Sequence, residues 1–250
     1  MHCKPVALVT GANKGIGLQI AKDLASKGFK VLVGARNLDL GVIAARSVAP
    51  DAQAIQLDVT DQMSISAAAK QIDETLGRLD VLVNNAGISN PAKPGTHLDD
   101  VIQSGRLSRI AADDLRIVFE TNVFGVVAVT QAMLPLLRKS PAGRIVNISS
   151  ATGSFGLKDD PSNPFRSQVG VYHASKTALN AITQAFAIEL EGTGIKVNAA
   201  CPGFTATDLS NFAAGAGSVE DAAREPVRLA LLDARGTTGT FSDDGGHIPW

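Results

Sequence analysis

The chain has 250 residues with 23 basic and 24 acidic side chains, which leaves a formal net charge of −1. This balance gives no electrostatic reason to expect nucleic acid or an anionic membrane surface as a partner. Its two cysteines cannot build a disulfide framework or a CxxC zinc pair, and no apolar run approaches the ~18 residues of a membrane span. We therefore expect a cytoplasmic protein without a metal site. Aromatic residues are scarce, and Tyr172 is the single tyrosine.

Short segments rich in β-branched residues alternate with longer segments of helical periodicity. Continuously apolar strands are typical of a sheet that is covered on both faces, and strand–helix alternation favours right-handed parallel crossovers. We therefore expect an α/β fold, a Rossmann-like doubly wound parallel sheet of about seven strands with helices on both faces, in a single domain over residues 1–250. The predicted strands are Val6–Thr10, Lys30–Ala35, Ala54–Leu57, Val81–Asn84, Arg144–Ser149, Lys196–Ala200 and Thr238–Phe241. The predicted helices are Ile16–Lys27, Gln62–Leu76, Leu115–Lys139, Tyr172–Leu190 and Val219–Asp233.

The first predicted strand leads into a glycine-rich loop at Thr10–Gly17. Such glycines allow a tight turn and bring backbone N–H groups at a helix N-terminus close to a pyrophosphate. No Gly-Lys-Ser/Thr follows, so the loop is not of the ATPase kind, although glycine triplets also occur in ordinary strand–helix turns. The loop residues expected to bind a nucleotide cofactor are Gly11, Asn13, Lys14, Gly15, Ile16 and Gly17.

The end of the second predicted strand indicates which cofactor is preferred. A site for NAD places an acid there to bind the ribose hydroxyls, but this chain has Arg36. The Arg36 guanidinium can bind a 2′-phosphate through two hydrogen bonds, and Lys14 supplies a second cation. We therefore expect NADPH/NADP+ rather than NADH/NAD+. The alternative is that both are solvated surface cations.

Two predicted connections exceed the roughly two to six residues usual in such folds, namely residues 88–112 and 151–170. Long loops after the carboxyl ends of strands are where open α/β sheets bind ligands, so we expect both insertions to shape the substrate site. The alternative is a tolerated surface insertion. The side chains expected to line an apolar cleft are Phe155, Leu157, Phe165 and Phe204.

Further short motifs follow the glycine loop in a fixed order. They are Asp58-Val59, Asn84–Gly87, Asn122, Ser149-Ser150, Tyr172–Lys176, and Pro202-Gly203 with Thr205 and Thr207. Each is weak alone, but their order and spacing along nearly the whole chain resemble the short-chain dehydrogenase/reductase family. The pair Asn13-Lys14, Arg36, the long connection before Tyr172 and the ending Ile248–Trp250 are most similar to its NADPH-dependent carbonyl reductase branch.

This resemblance implies roles for individual positions. Asp58 would bond the adenine with Val59 packed beside it, and the Pro202–Thr207 segment would hold the nicotinamide carboxamide. The cofactor-binding residues implied after the glycine loop are Asp58, Val59, Asn85, Ala86, Gly87, Tyr172, Lys176, Pro202, Gly203, Thr205 and Thr207. The catalytic tetrad implied is Asn122, Ser150, Tyr172 and Lys176.

The spacing of Tyr172 and Lys176 places both side chains on one face of a helix. A nearby ammonium lowers the pKa of a phenol from its usual value near 10, so we expect Lys176 to activate Tyr172 as the proton donor. Ser150, the second serine of its pair and therefore favoured over Ser149, can donate to the carbonyl oxygen. By family analogy Asn122 holds a water molecule near Lys176. Each residue also has an ordinary structural role as the alternative.

Taken together, these features predict an NADPH-dependent oxidoreductase that reversibly reduces aldehyde or ketone carbonyls, with a hydride from the nicotinamide and a proton from Tyr172. One alternative is a 3-oxoacyl-thioester reductase, whose acidic carrier protein would dock on Arg106, Arg109 and Arg116. Another is a catalytically silent NADP-binding sensor or scaffold, against which the intact tetrad argues. The expected partner is a small-molecule carbonyl or alcohol. A homodimer, a tetramer and a monomer all stay open.

Overall fold

The computed structural model describes residues 4–91, 100 and 103–250. Cys3 and part of the predicted insertion 88–112 lie outside the described residues. Eight strands of the described chain form one sheet. They are β1 Val6–Val9, β2 Lys30–Ala35, β3 Gln53–Gln56, β4 Val81–Asn84, β5 Arg144–Ile148, β6 Lys196–Ala200, β7 Phe241–Asp243 and β8 Gly246–His247.

Across the sheet the strands follow the order β3-β2-β1-β4-β5-β6-β7-β8. β1 to β7 are parallel, and β8 pairs antiparallel with β7. The predicted doubly wound parallel sheet is therefore confirmed, with β8 as an eighth strand too short to show any periodicity. The seventh strand begins at Phe241 rather than at Thr238, because Gly239 has a φ of +70° that interrupts the extended backbone.

Eight α-helices connect or flank these strands within the described residues. They are α1 Gly15–Ser26, α2 Leu38–Val48, α3 Gln62–Leu76, α4 Ala112–Phe119, α5 Gly125–Leu137, α6 Gly156–Asp159, α7 Val171–Glu189 and α8 Val219–Ala230. One core cluster joins the sheet to α3, α5 and α7, whereas the other joins the opposite face to α1, α2 and α8. The expected helices on both faces are confirmed.

Helix α2 was not expected from the sequence. Its buried positions are the small residues Gly41, Ala44 and Ala45, while the larger Leu40 and Ile43 are exposed. A helix that buries only small side chains lacks the apolar stripe on which periodicity depends. The available signal was Asn37, whose Oδ1 accepts a hydrogen bond from the Leu40 N–H at 3.0 Å and caps the helix.

The predicted helix Leu115–Lys139 is observed as α4 and α5 joined by a single π-helical segment, Glu120–Phe124. The continuous segment Ala112–Leu137 is long and apolar enough to cross a bilayer, but half of its most apolar window is buried inside the protein. Val129, Met133 and Leu137 lie in the core cluster on one face of the sheet. This packing is that of a central core helix.

Candidate active site

The strand order reverses between β1 and β4, and this reversal opens a crevice at their carboxyl ends. Thr10 is buried directly after β1, and its hydrogen bonds connect the segment after β1 with the segment after β4. Its Oγ1 accepts hydrogen bonds from the Asn85 N–H at 2.9 Å and the Ala86 N–H at 3.0 Å. Asn85 Nδ2 donates back to the Thr10 carbonyl at 2.8 Å. The glycine loop and the Asn85–Gly87 segment therefore form one rigid wall.

The glycine loop needs its glycines for two separate reasons. Gly11 and Gly15 have φ values of +62° and +58°, which side-chain-bearing residues rarely adopt. Gly17 is instead required by packing, because a Cβ there would lie 2.4 Å from Asn85 Nδ2. Asn13 and Ile16 are half-buried, and Ile16 packs against the core cluster.

Helix α1 begins in this loop and directs its positive end into the crevice. Lys14 precedes the first helical residue and makes no side-chain hydrogen bond to cap the helix. The first-turn N–H groups of an uncapped helix favour an anion. The loop therefore has the backbone geometry that a pyrophosphate group needs.

The two expected cations lie in different surroundings. Arg36 directly follows β2, is exposed, and makes no ion pair with another described residue. Lys14 Nζ instead lies 3.0 Å from Asp208 Oδ2, in an ion pair that the sequence did not indicate. Lys14 is therefore engaged with a carboxylate, whereas Arg36 is paired with none among the described residues.

The Asp58-Val59 turn after β3 is held by local contacts. Asp58 Oδ1 accepts hydrogen bonds from the Thr60 N–H at 3.0 Å and from Thr60 Oγ1 at 2.7 Å. The Val59 carbonyl packs so closely on Gly125 that a Cβ at that glycine would lie 2.7 Å from the oxygen. The turn thus reaches the start of α5 and borders the same crevice.

Asn122 lies in the π-helical segment with its amide fully buried. Its Oδ1 accepts from the Ile88 N–H at 2.9 Å, while Nδ2 donates to the Ile88 carbonyl at 2.8 Å and to Ser175 Oγ at 3.0 Å. Both amide hydrogens are therefore used by protein atoms. The side-chain amide of Asn122 could therefore hold the expected water only through Oδ1, and its three hydrogen bonds fix the chain after β4.

Ser175 is a site residue that the sequence analysis missed. It is fully buried between Tyr172 and Lys176, accepts the hydrogen bond from Asn122 Nδ2, and donates from Oγ to the Tyr172 carbonyl at 2.6 Å. Ser175 thus links the π-helical segment to the first turn of α7. Its position three residues after Tyr172 was the only available signal, because i and i+3 share a helix face.

Lys176 is buried at the floor of the crevice. Its Nζ donates to the Ile148 carbonyl at 2.7 Å, and it lies 5.6 Å from the centroid of the Tyr172 ring. A Cβ on Gly87 would lie 3.6 Å from the same Nζ and 3.3 Å from Asn122 Oδ1. Burial lowers the pKa of Lys176 to about 8. Gly87, Asn122 and Lys176 therefore converge, as the family resemblance implied.

The two candidate serines face different partners. The Ser150 hydroxyl pairs with Thr152 Oγ1 at 2.8 Å and lies near enough to the Tyr172 phenol to lower its pKa. Ser149 Oγ is buried and donates to Asn180 Oδ1 at 2.5 Å, away from Tyr172. The structure therefore brings Ser150, and not Ser149, to the tyrosine.

The pKa of the Tyr172 hydroxyl is raised, whereas the sequence analysis predicted that it would be lowered. Burial raises the pKa of Tyr172, and the thiol of Cys201 adds to the rise, while the Ser150 hydrogen bond opposes it. The net direction is therefore opposite to the predicted lowering, because the burial of the phenol outweighs the interactions that favour the tyrosinate.

The segment after β6 folds over the glycine loop. Gly203 has a φ of +75°, and Thr205 Oγ1 donates to the Pro202 carbonyl at 3.2 Å. Thr207 lies against the loop, since a Cβ on Gly15 would be 3.5 Å from Thr207 Cγ2. The residues expected to hold the pyrophosphate and those expected to hold the nicotinamide carboxamide thus lie next to each other.

The four apolar side chains expected to line one cleft are divided. Phe155 and Phe204 are exposed, whereas Leu157 and Phe165 pack against a small cluster that includes Phe241. Leu157 and Phe165 are half-buried and cover this cluster under the insertion, so the four side chains do not share one environment. No group of three or more metal-ligating side chains occurs within the described residues.

Comparisons with known proteins agree with this arrangement. The family model for the short chain dehydrogenase matches residues 5–215. Short-chain dehydrogenase anuI of Penicillium roqueforti is 38% identical over 91% of this chain and 88% of its own. Carbonyl reductase [NADPH] 1 of Mus musculus is 33% identical and covers 99% of both chains. The 3-oxoacyl-[acyl-carrier-protein] reductase FabG of Haemophilus influenzae is 34% identical over 97% of both.

Solved structures show the same similarity. The structure of salutaridine reductase from Papaver somniferum superposes with a TM-score of 0.77 at 28% sequence identity. That match covers 95% of this chain and 99% of the other.

Proposed function

The chain belongs to the short-chain dehydrogenase/reductase family of oxidoreductases, which bind nicotinamide cofactors, and on this premise we propose that it is an NADPH-dependent reductase of aldehyde and ketone carbonyls. One observation carries the proposal: Ser150, Tyr172 and the buried Lys176 converge beside the glycine loop, with Lys176 Nζ 5.6 Å from the centroid of the Tyr172 ring and the Ser150 hydroxyl near enough to the phenol to lower its pKa.

The residues of the crevice fit a dinucleotide. The positive-φ glycines at 11 and 15, the uncapped start of α1 and the exposed Arg36 supply a close backbone approach, N–H donors and a cation. When bound, the cofactor supplies the hydride. The residues proposed to hold it are Gly11, Asn13, Lys14, Gly15, Ile16, Gly17, Arg36, Asp58, Val59, Asn85, Ala86, Gly87, Tyr172, Lys176, Pro202, Gly203, Thr205 and Thr207.

In the reductive direction Tyr172 donates its proton to the developing alkoxide. The raised pKa of Tyr172 keeps the phenol protonated at neutral pH, which is the form that a proton donor requires. With a pKa of about 8, Lys176 is mainly an ammonium at the same pH and stabilises the tyrosinate that remains after transfer. In alcohol oxidation the same two groups act in reverse.

Ser150 donates a hydrogen bond to the substrate carbonyl oxygen. A donor at a developing oxyanion typically contributes about 2.7–4 kcal/mol when it is well placed. Its contacts with the Thr152 side chain and N–H hold the Ser150 hydroxyl at the end of β5, near the Tyr172 phenol. Asn122 acts as a positioning residue, because its amide holds Ile88 and Ser175 on either side.

The preference for NADPH rests on Arg36 and Lys14. No acid stands directly after β2, where a site for NAD would have one, and Arg36 is free to bind a 2′-phosphate. The name of the mouse relative includes NADPH, which supports the same preference.

A 3-oxoacyl-thioester reductase is the second candidate, favoured by the identity to the Haemophilus influenzae protein. The basic surface patch that this function requires is small, because the charge of Arg116 is partly neutralised by Asp113 at 2.8 Å. Arg106 and Arg109 remain exposed. A catalytically silent sensor would have no need for the buried Asn122–Ser175 network and the convergence at Tyr172.

The deciding experiment is a spectrophotometric screen of NADPH oxidation over ketones, aldehydes and 3-oxoacyl thioesters. We expect turnover with ketones or aldehydes and a higher kcat/KM with NADPH than with NADH. Higher kcat/KM with carrier-protein thioesters would favour the second candidate. Cofactor binding without any turnover would favour the sensor.

We also propose a cytoplasmic protein that forms homo-oligomers. Exposed apolar side chains lie on the long helices, at Ile117 and Phe124 on one segment and at Ile188 on α7. Exposed apolar residues on paired helices support association between copies. Light scattering coupled to gel filtration distinguishes a dimer or tetramer from a monomer.

A further inference from the structure

Two loops that are far apart in sequence meet at the mouth of the cofactor crevice. Lys14 Nζ lies 3.0 Å from Asp208 Oδ2, and both side chains are more than half exposed. The neighbouring residues Gly15 and Thr207 also lie close together, since a Cβ on Gly15 would be 3.5 Å from Thr207 Cγ2. The ion pair therefore spans the groove between the glycine loop and the segment after β6.

Asp208 is the more rigid partner of this ion pair. It is the first residue of a 3-10 turn, Asp208–Ser210, which is closed by a capping box between Thr207 and Ser210. Ser210 Oγ also donates to the Thr205 carbonyl at 2.7 Å, which fixes the turn to the preceding residues. Lys14 has a long flexible stem, so the ammonium can leave Asp208 while the carboxylate stays in place.

From this geometry we propose that Asp208 is a specificity-determining residue that competes with the 2′-phosphate of NADPH for Lys14. The inference rests on the proposed function. A cofactor with a 2′-phosphate draws the Lys14 ammonium away from Asp208 and must break the ion pair, whereas NADH leaves the pair intact. Asp208 thus weakens the preference for NADPH that Arg36 and Lys14 establish together.

The test is the dissociation constant of each cofactor, measured by calorimetry without substrate. Asp208→Asn removes the charge at nearly constant size. We expect the ratio of the NADH to the NADPH dissociation constant to rise about two- to fivefold, the range expected of an exposed ion pair. The increase should shrink at high salt, because exposed charges are screened.

Two further variants isolate the cause. In a Lys14→Met background, Asp208→Asn should leave the ratio of the NADH to the NADPH dissociation constant unchanged, because the Lys14 ammonium for which Asp208 competes is absent. Asp51→Asn is the matched control. Its carboxylate pairs with Lys4 at 2.9 Å in a similarly exposed position near the amino ends of the strands, so the ratio should not move.

If Asp208→Asn raised the dissociation constants of NADPH and NADH equally, the proposal would be overturned, since the ion pair would then help to hold either nucleotide. An unchanged ratio would overturn it as well. Both results leave the proposed function standing, provided that the wild-type protein binds NADPH. If the wild type binds neither cofactor, the proposed function fails and this inference fails with it.

Discussion

The cofactor side and the catalytic side of the crevice are built in different ways. On the cofactor side the chain offers backbone conformation and exposed charge, as in the positive-φ Gly11 and Gly15 and the solvent-facing Arg36 and Lys14. On the catalytic side, buried side chains such as Asn122 and Lys176 are held by several hydrogen bonds. A buried polar group loses more when its partner is removed than an exposed one does. We therefore expect a single substitution to reduce activity or stability more on the catalytic side than on the cofactor side.

The largest effect is expected from Tyr172→Phe, which removes the proton donor and keeps the ring. We expect turnover to fall by about 10²–10⁴-fold, the range associated with positioned acid–base groups. NADPH binding should change little, because the ring and the helix remain. Steady-state kinetics and calorimetry measure the two quantities separately. Turnover near that of the wild type would contradict the assignment of Tyr172.

Lys176 provides a test of burial that does not depend on activity. Burial lowers its pKa from 10.5 to about 8, so between these values the unfolded chain binds more protons than the folded one. The contribution of Lys176 to the free energy of unfolding therefore rises with pH, by roughly 2–3 kcal/mol from pH 8 to 10.5. Buried Tyr172 and Cys201, whose pKa values are raised, contribute a slope of the opposite sign to both proteins. Urea denaturation across this window should therefore show a slope that is more positive in the wild type than in Lys176→Met by this amount.

The exposed Lys70 is the matched control for that measurement, because it pairs with Glu74 on the surface of α3. Lys70→Met should keep the wild-type slope. Identical slopes in the wild type and Lys176→Met would mean that the ammonium is not desolvated, and the contrast between the two sides would weaken.

The next effect concerns the cofactor side. Arg36→Asp replaces a cation with the acid typical of NAD sites. We expect the NADPH/NADH preference in kcat/KM to reverse, with a change of about 10-fold or more, since a hydrogen bond to a charged group contributes roughly 1.5–3 kcal/mol. Turnover at saturating NADH should be retained. An unaltered ratio would show that another residue recognises the 2′-phosphate.

The smallest effect is expected from Ser175→Ala, which leaves the Asn122 amide one hydrogen-bond partner short. We expect kcat to fall by about three- to tenfold, consistent with the roughly 1 kcal/mol of one hydrogen bond, with the dissociation constant for NADPH unchanged. Ser175→Thr should restore kcat because it keeps the hydroxyl. Ser66→Ala, on the exposed surface of α3, is the control without effect. A loss in NADPH affinity instead of kcat would contradict a positioning role.

Local sequence patterns were sufficient for most of the fold. The parallel strands and the helices with wide apolar faces, such as α3 and α7, were predicted because many buried side chains repeat at the proper period. Helix α2 and strand β8 were not predicted, because one buries only small residues and the other has only two residues. The predicted start of the seventh strand was wrong, because the positive φ of Gly239 interrupts the extended backbone there.

The sequence by itself determined the family, the parallel sheet and the identity of the residues at the crevice, because each depends on residue type and spacing along the chain. Only the tertiary structure decided how these residues interact. It pairs Lys14 with Asp208, places Ser150 rather than Ser149 near the Tyr172 phenol, and connects Asn122 to Ser175 on the helix that carries Tyr172. It also sets the direction of the Tyr172 pKa shift. These outcomes depend on distance and desolvation between segments that are remote in sequence, and no local pattern encodes either quantity.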